Sequence, residues 1–315
     1  MRVSAVLEPT GVTGVVRFVS APGFSQQPHV AVFGAVHGNE PCGLRAIERL
    51  YAEILADELV LTAGTLTLVH GNPPASELQE RHTRGGVDLN RQFDYRFVDD
   101  IPTHHWTYEH CRALELRPLL ESVDVVLDLH STTAPAPAFA IASPLPASLE
   151  LAHALGLQYV TQGWESPGLL GDRVLIAPLT RRGLPGVSIE CGQHAERPAV
   201  DVAYACLRRC LEYLGMIAAR SAERPWVAPP VAPSTHLWIT AAVKRPSSSF
   251  RFARPLASMY QLRAGELIGS DEVLALSAQC HCYVIMPNDA VPVGEDMLYI
   301  ARLFDAGERE AEDRR

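Results

Sequence analysis

A histidine and a carboxylate three residues apart, His37 and Glu40, mark the stretch of this chain whose side chains are best suited to chemistry. They follow the apolar run Val30 to Phe33 and precede a segment with helical periodicity, so we expect both on a turn at the carboxyl end of a strand. An imidazole nitrogen and a carboxylate oxygen are ligands that suit Zn²⁺, although a metal site needs a third ligand. The spacing alone is equally typical of a solvated turn.

A second strand end supplies the best third ligand, His130. This residue ends the run Val125-Val126-Leu127-Asp128-Leu129-His130, after which the chain becomes polar. Strand ends of one sheet meet at the same edge, and this convergence favours a metal site over a solvated turn. His70 also follows a strand-like run, Thr65 to Val69, and is the reserve ligand. Asp128 shares the strand face of His130, so it either orients an imidazole or has a structural role only.

Two further stretches carry groups that suit catalysis and substrate binding. Glu190 ends the apolar strand within Gly186 to Gly192, and its position at a third strand end favours the cleft over the protein surface. The polar loop from Arg81 onwards places Asn90 and Arg91 side by side, and an amide next to a guanidinium is suited to a substrate carboxylate. The alternative for this loop is a solvated connection.

Hydrophobic periodicity predicts strands that alternate with helices, which indicates an α/β fold. The predicted strands are His29 to Ala35, Thr65 to Val69, Val125 to His130, Phe139 to Ala142, Leu157 to Thr161 and Gly186 to Glu190. The predicted helices are Pro41 to Leu55, Tyr108 to Leu120, Leu145 to Leu155 and Pro198 to Ala218.

A proline-rich stretch, Arg220 to Pro233, predicts a semi-rigid linker between two domains. After it, short alternating runs separated by Pro, Gly and Ser turns indicate a small β domain. We therefore expect a larger domain at residues 1–222, which carries the site, and a C-terminal β domain at residues 234–306. In the second domain, Cys280 and Cys282 share one strand face, which favours core packing over half of a metal site.

Composition and charge limit the classes of protein to which this chain can belong. The chain has 315 residues, enough for about two domains, and its content of 47% hydrophobic and 20% charged residues is typical of a soluble globular protein. The net charge of −9 argues against a nucleic-acid partner. The sequence lacks a signal-peptide pattern and any window long enough for a membrane span. Seven cysteines without a CxxC pair indicate reduced thiols and a cytoplasmic location. The number of subunits is open, and a homo-oligomer is compatible with the sequence.

Four motifs follow one another along the chain: His37-Gly38-Asn39-Glu40, Asp88-Leu89-Asn90-Arg91, Asp128-Leu129-His130-Ser131-Thr132 and the strand-end Glu190. In this order they resemble the aspartoacylase and succinylglutamate desuccinylase family of zinc hydrolases, which is related to the zinc carboxypeptidases. The resemblance covers nearly the whole chain. It implies a zinc-carboxypeptidase-like mixed sheet flanked by helices, followed by the smaller C-terminal β domain.

The resemblance also implies which residues perform the chemistry. The ligands of one Zn²⁺ per subunit would be His37, Glu40 and His130. The general base would be Glu190, and Arg84 would polarise the scissile carbonyl.

Further residues are implied to bind the substrate. Asn90 and Arg91 would hold its carboxylate, and Arg181, or its neighbour Arg182, would match the arginine that grips an acidic side chain. The tyrosine that aspartoacylases place in the site has no match in the stretch Asn288 to Val293.

The activity implied by the resemblance is zinc-dependent hydrolysis of the amide bond of a small N-acyl amino acid, by an aspartoacylase-like or desuccinylase-like deacylation. The nearest alternative is a zinc carboxypeptidase that acts on peptides, although a C-terminal β domain could cap the cleft and exclude long chains. A binding protein of the same fold without catalytic activity is the second alternative. The intact set of candidate ligands and base argues against it.

Overall fold

Strands and helices alternate along the chain, as its periodicity predicts. The computed structural model describes residues 5–304, apart from residues 167, 170, 195 and 220–233. The strands are β1 (Ala5–Glu8), β2 (Val15–Ser20), β3 (His29–Gly34), β4 (Leu59–Leu61), β5 (Thr65–His70), β6 (Val125–Thr132), β7 (Phe139–Ala142), β8 (Tyr159–Gln162), β9 (Gly186–Gln193), β10 (Ile217–Ala219), β11 (Thr235–Lys244), β12 (Arg251–Phe252), β13 (Tyr260–Leu262), β14 (Leu267–Ser270), β15 (Ala275–Ser277), β16 (Cys282–Ile285) and β17 (Asp296–Leu303). The helices are α1 (Cys42–Leu55), α2 (Pro73–Leu78), α3 (Tyr95–Asp99), α4 (Tyr108–Ser122), α5 (Pro146–Ala154), α6 (Ala177–Arg181) and α7 (Pro198–Tyr213).

Most of these strands form one mixed sheet. Its order is β1, β2, β5, β3, β6, β9, β7, β8, β11, β17, β16 and β13. The centre is parallel, because β3 pairs in parallel with both β5 and β6, and β6 pairs in parallel with β9. Strand β7 runs antiparallel to β9, and the strands near both edges are antiparallel to their neighbours. This mixed sheet confirms the predicted fold class.

Strand β3 shows why helices cover both faces of the sheet. Val30 and Val32 pack with the buried sides of α1, α5 and α7, whereas Ala31 and Phe33 pack with α4 and α6. Successive side chains of a strand point to opposite faces, so a strand that is apolar throughout needs cover on both sides.

The C-terminal β region continues the same sheet. Strand β11 pairs in parallel with β8, and β17, β16 and β13 follow it in antiparallel order. Strands β12, β14 and β15 form a separate small sheet. Cys282 is buried in the core of this region and Cys280 packs against that core, as the alternation predicts. The predicted linker lies outside the described residues, so the domain boundary stays a prediction.

The last helix before the linker is shorter than its periodicity predicts. Helix α7 ends at Tyr213, and Gly215 adopts a left-handed conformation with φ +67°, which ends a helix without strain. The apolar residues beyond it form β10, which pairs with β4. In the described part of the chain, every helix is too short or too polar to cross a bilayer.

Candidate metal centre and active site

The turn that carries His37 and Glu40 connects β3 to α1, at the carboxyl end of a central strand. Its path depends on a close approach to helix α2. A Cβ atom on Gly38 would lie 2.0 Å from the carbonyl carbon of Ala75, so only glycine fits at this position. His130 lies on β6, the parallel neighbour of β3. The strand-end geometry therefore brings the three predicted ligands to one edge of the sheet.

The candidate ligand atoms of His37, Glu40 and His130 all lie within 4.8 Å of one another, and the three residues are buried. His37 Nδ1 is 2.9 Å from Glu40 Oε1, and His130 Nδ1 is 2.9 Å from Glu40 Oε2. Both Nδ1 atoms thus converge on a single carboxylate. Two imidazoles and a carboxylate form a donor set that suits Zn²⁺.

The opposite nitrogen of each imidazole also contacts a carboxylate. His37 Nε2 is 2.9 Å from Asp88 Oδ1, and His130 Nε2 is 2.7 Å from Asp128 Oδ2. Metal-binding histidines commonly use a carboxylate in this way, because it fixes the ring orientation and the tautomer. The side-chain arrangement therefore fits a metal bound through the two Nδ1 atoms. Of the two alternatives for Asp128, an orienting role and a purely structural one, this contact with the His130 ring favours the orienting role.

The charges in this cluster reinforce one another. Burial raises the pKa of Glu40, but the charges and contacts of His37 and His130 outweigh burial and hold that pKa well below its usual range. Burial lowers the pKa of His130, but Asp128 and Glu40 outweigh it and hold the pKa well above its usual range. Removing one partner would leave a buried group without its compensating charge.

Glu190 faces the same cavity from the next strand. It is the register partner of His130 in the parallel pair of β6 and β9, and it lines the cleft. Among the described residues, its buried Oε2 atom has no hydrogen-bond partner. Burial, and then the negative charge of Glu40, raise the pKa of Glu190 to about 8. A carboxylate with a free acceptor oxygen beside a ligand cluster is suited to proton transfer.

The arginine that faces the ligand cluster is Arg81, not Arg84. Arg84 lies outside the cavity, its side chain is 79% exposed and its Nε atom is 3.6 Å from Glu80 Oε1. Arg81 lines the cavity, donates to Asp88 Oδ2 at 2.8 Å and has its Nη1 atom 3.6 Å from Glu40 Oε1. This geometry favours Arg81 over Arg84 for the polarisation of a bound carbonyl group. The loop after α2 turns the side chain at position 84 towards solvent.

The two residues predicted to hold a carboxylate line the cavity. Asn90 is buried in the short 3-10 turn Leu89–Arg91, where its Nδ2 atom lies 3.4 Å from His130 Nε2 and its Oδ1 atom accepts from Leu175 N at 2.8 Å. The Nη1 atom of Arg91 donates to the carbonyl of Asn90 at 2.8 Å. This bond braces the guanidinium at the cleft wall.

The structure distinguishes Arg181 from Arg182. Arg181 lines the cavity and donates through Nη2 to the carbonyl of Phe93 at 2.8 Å. Arg182 instead donates to the carbonyls of Leu120 and Val123, at the end of helix α4. Arg181 is therefore the one that reaches the cleft.

The reserve ligand, His70, is not part of the cluster. Its Nε2 atom lies 2.8 Å from Ser76 Oγ, and its carbonyl accepts from the buried side chain of Arg112. Strand β5, which ends at His70, lies on the other side of β3 from β6, and the His70 side chain packs against helix α2. His70 thus helps to position the α2 turn.

Sequence reasoning missed two aromatic residues that line the cavity, Trp164 and Tyr299. Tyr299 lies on β17, where its alternating pattern reads as an ordinary core position, and Trp164 follows β8. The cavity has a volume of about 710 Å³, and the C-terminal β region contributes Met286, Val291 and Tyr299 to its wall. A volume of this size is typical of a site for a small molecule.

Residues 26–196 match the family described as "Succinylglutamate desuccinylase/Aspartoacylase catalytic domain". A relative from Rattus norvegicus, "N-acyl-aromatic-L-amino acid amidohydrolase (carboxylate-forming)", is 38% identical over 149 residues, which cover 44% of this chain and 45% of the relative. A "Probable aspartoacylase" from Nostoc sp. is 36% identical over 112 residues, which cover 33% of this chain and 35% of the relative. These alignments thus span less than half of each relative.

Solved structures resemble the chain over a longer stretch. The succinylglutamate desuccinylase of Vibrio cholerae superposes with a TM-score of 0.73, covering 96% of this chain and 92% of the other, at 16% identity. At this identity the likeness shows the fold, and it includes the C-terminal region beyond the family match.

Proposed function

Because the chain belongs to the succinylglutamate desuccinylase/aspartoacylase family, we propose that it is a zinc-dependent amidohydrolase that removes the acyl group from a small N-acyl amino acid. The observation that carries the proposal is the cluster of His37, Glu40 and His130 with Glu190 beside it in one cavity. The names of the relatives, which include an amidohydrolase and an aspartoacylase, agree with this chemistry.

The chain's own residues divide the reaction between them. Bound at the His37, Glu40 and His130 side chains, Zn²⁺ would supply Lewis acidity and lower the pKa of water. Glu190 accepts a proton at its free Oε2 atom from the water whose oxygen attacks the amide carbonyl carbon. It returns that proton to the leaving nitrogen as the C–N bond breaks, and the products are a carboxylate and a free amino acid.

Arg81 stabilises the negative charge that develops on the carbonyl oxygen. Its guanidinium is oriented by Asp88, which also contacts His37, so one carboxylate positions both the arginine and a candidate ligand. An electrostatic donor that is oriented before the reaction needs little reorganisation in the transition state.

Asn90 and Arg91 hold the α-carboxylate of the substrate, and Arg181 faces the amino-acid half of the substrate. Since Asn90 Oδ1 is occupied by the backbone of Leu175, its Nδ2 group is the one directed at the cleft. A planar guanidinium beside an amide donor matches the two oxygens of a carboxylate.

A peptidase that acts on long chains fits the cavity less well. Residues from the C-terminal β region, among them Met286 and Val291, line the cavity together with the candidate ligands, so this region limits the space for a long peptide.

The seven cysteines are all unpaired, which supports a reducing compartment such as the cytoplasm as the site of action.

The decisive experiment measures turnover across a panel of N-acyl amino acids with zinc-loaded and with chelated protein. We expect hydrolysis that requires metal, and loss of hydrolysis when the α-carboxylate is masked as an amide. A ladder of peptides serves as the comparison. Cleavage of peptides in preference to every N-acyl amino acid would establish the carboxypeptidase alternative, and absence of any turnover would support the non-catalytic one.

A further inference from the structure

One serine in the lining of the cavity, Ser188, has no part in the proposed reaction. It lies on β9 two residues before Glu190, so both side chains point to the face of the sheet that carries the cavity. Its register partner on β6 is Asp128, just as His130 is the register partner of Glu190. Two adjacent parallel strands thus place this serine beside the carboxylate that contacts the His130 ring.

A hydrogen bond connects Ser188 to Asp128. Ser188 Oγ donates to Asp128 Oδ2 at 3.1 Å, and the same carboxylate oxygen lies 2.7 Å from His130 Nε2. Asp128 is fully buried and Ser188 is 6% exposed. Among the described residues, the other carboxylate oxygen, Asp128 Oδ1, has no hydrogen-bond partner. Within this part of the chain, the buried carboxylate therefore depends on two donors, the imidazole and the serine hydroxyl.

The loss of either donor would loosen the Asp128 side chain. A buried carboxylate needs hydrogen bonds in place of its hydration, and the terminal torsion of an aspartate is soft, so the group turns easily when a donor is removed. The imidazole belongs to the same strand as Asp128, whereas the Ser188 hydroxyl approaches from the neighbouring strand. Together the two donors hold Oδ2 in place against the His130 ring.

The position of Oδ2 matters because His130 Nε2 has a second polar neighbour, Asn90 Nδ2, at 3.4 Å. An amide N–H group can only donate, so it would bond to Nε2 only in the tautomer whose hydrogen is on Nδ1. That tautomer has no lone pair on Nδ1, the atom that is directed at Glu40. The Asp128 carboxylate selects the opposite tautomer, in which Nε2 carries the hydrogen and Nδ1 can bind a metal.

We infer that Ser188 is a positioning residue for the metal centre: its hydroxyl holds Asp128 Oδ2 against His130 and thereby supports the tautomer that can bind metal. The inference rests on the proposed zinc-dependent function and adds a residue to it. The alternative is a structural role only, in which the hydroxyl compensates for the burial of Asp128 and contributes to folding stability alone.

The test measures zinc affinity rather than turnover, by competition between the full-length chain and a chromophoric chelator. Ser188→Val and Ser188→Thr form a matched pair, because the two new side chains have nearly the same shape and only threonine keeps the hydroxyl. We expect Ser188→Val to weaken zinc binding by about tenfold, the lower end of the usual effect of changing a residue that orients a metal ligand, and Ser188→Thr to stay within about threefold of the unmodified chain. Equal zinc affinity of the two variants would overturn the inference.

Ser148 provides the control for the loss of a buried serine hydroxyl. It is fully buried outside the cavity, its Oγ atom lies 2.6 Å from Ser143 Oγ, and it accepts from Gly186 N at 3.2 Å. Thermal unfolding should show that Ser148→Ala and Ser188→Ala are both less stable than the unmodified chain, but only Ser188→Ala should bind zinc more weakly. Equal losses of zinc affinity would reveal a general packing effect and refute the positioning role.

A double-mutant cycle with Asp128→Asn tests whether the serine acts through the carboxylate. Asp128→Asn should itself weaken zinc binding by about ten- to a hundredfold. In that background Ser188→Ala should have an added effect of less than about twofold, because the bond that it removes is already altered. An added effect as large as in the unmodified chain would show that Ser188 acts independently of Asp128, and this would contradict the inference.

The zinc measurements also separate this inference from the proposed function. Zinc binding that depends on the Ser188 hydroxyl, in a chain that hydrolyses no N-acyl amino acid, would support the positioning role and refute the deacylase proposal. Turnover of N-acyl amino acids together with unchanged zinc affinity in Ser188→Val would refute the positioning role alone. If the unmodified chain binds no zinc, both proposals fail.

Discussion

His130 and Glu190 are register partners on the adjacent parallel strands β6 and β9. Side chains at paired positions of parallel strands point to the same face, so a candidate ligand and a candidate base are held side by side by backbone hydrogen bonds alone. Neither position depends on a mobile loop. The sheet itself thus sets the spacing between the group that would bind metal and the group that would move the proton.

Replacing Glu190 by Gln should remove most turnover while leaving the metal bound. The amide keeps the shape of the side chain but loses the basic oxygen, and general-base catalysis contributes about a hundred- to ten-thousand-fold. The measurements are kcat on the best N-acyl amino acid and metal content by elemental analysis. A metal-loaded Glu190→Gln enzyme with nearly normal kcat would show that another group is the base.

Replacing His37, Glu40 or His130 by Ala should each lower the metal content well below that of the unmodified chain, since each change removes one of three protein ligands. His70→Ala is the matched control, because this histidine also ends a central strand but contacts Ser76 instead of the cluster. The control should keep its metal. Full metal occupancy in all three ligand variants would refute the proposed site.

Arg81 and Arg84 offer a paired test of which arginine acts on the carbonyl. Arg81→Ala should lower kcat by about a hundred- to a thousandfold, which is the usual cost of losing one donor to a developing oxyanion. Arg84→Ala should change kcat by no more than about twofold, because its side chain lies on the surface. Steady-state kinetics of the two variants measure both effects. A larger loss of kcat in Arg84→Ala than in Arg81→Ala would instead assign carbonyl polarisation to Arg84.

The convergence of His37, Glu40 and His130 could be predicted from sequence because these residues lie at the end of an apolar strand or on the turn that follows it, and strand ends converge whatever the surrounding loops do. The position of Arg81 in the cavity could not. Arg81 and Arg84 lie in one polar loop, and the direction of each depends on the left-handed turn at Gln79 and on anchoring by Glu109, 26 residues beyond Thr83. Such long-range contacts leave no periodic signal.

Two other features that the sequence did not predict, Tyr299 in the cavity and the early end of helix α7, have different physical causes. Tyr299 reaches the cavity only because β17 pairs with β11, a contact between segments that no local pattern connects to the site. The early end of helix α7, in contrast, had a local signal. Gly215 follows the last helical turn, and its preference for a left-handed conformation outweighs the apolar residues beyond it.

The last prediction concerns Glu109, the buried carboxylate that anchors the loop carrying Arg81. It accepts hydrogen bonds from the side chains of Asn72 and Thr107, from both the backbone N–H and the hydroxyl of Thr83, and from the backbone of Val87. Burial raises the pKa of Glu109, but these bonds, led by the Thr83 N–H, outweigh burial and lower it. The stabilisation is therefore present above the pKa of the unfolded chain and is lost as the pH falls through the folded pKa.

Replacing Glu109 by Gln should lower the free energy of unfolding by about 1–3 kcal/mol at pH 7, because the amide cannot accept every bond and turns its own N–H group towards other donors. The difference from the unmodified protein should shrink below about pH 4, where the carboxyl is protonated in the unfolded chain. Urea unfolding at both pH values measures this. The control is Glu121→Gln on the same helix, whose exposed pair with Arg117 contributes about 0–1 kcal/mol. If Glu109→Gln costs no more than Glu121→Gln at pH 7, or if its cost grows as the pH falls, the loop is anchored by something other than this carboxylate.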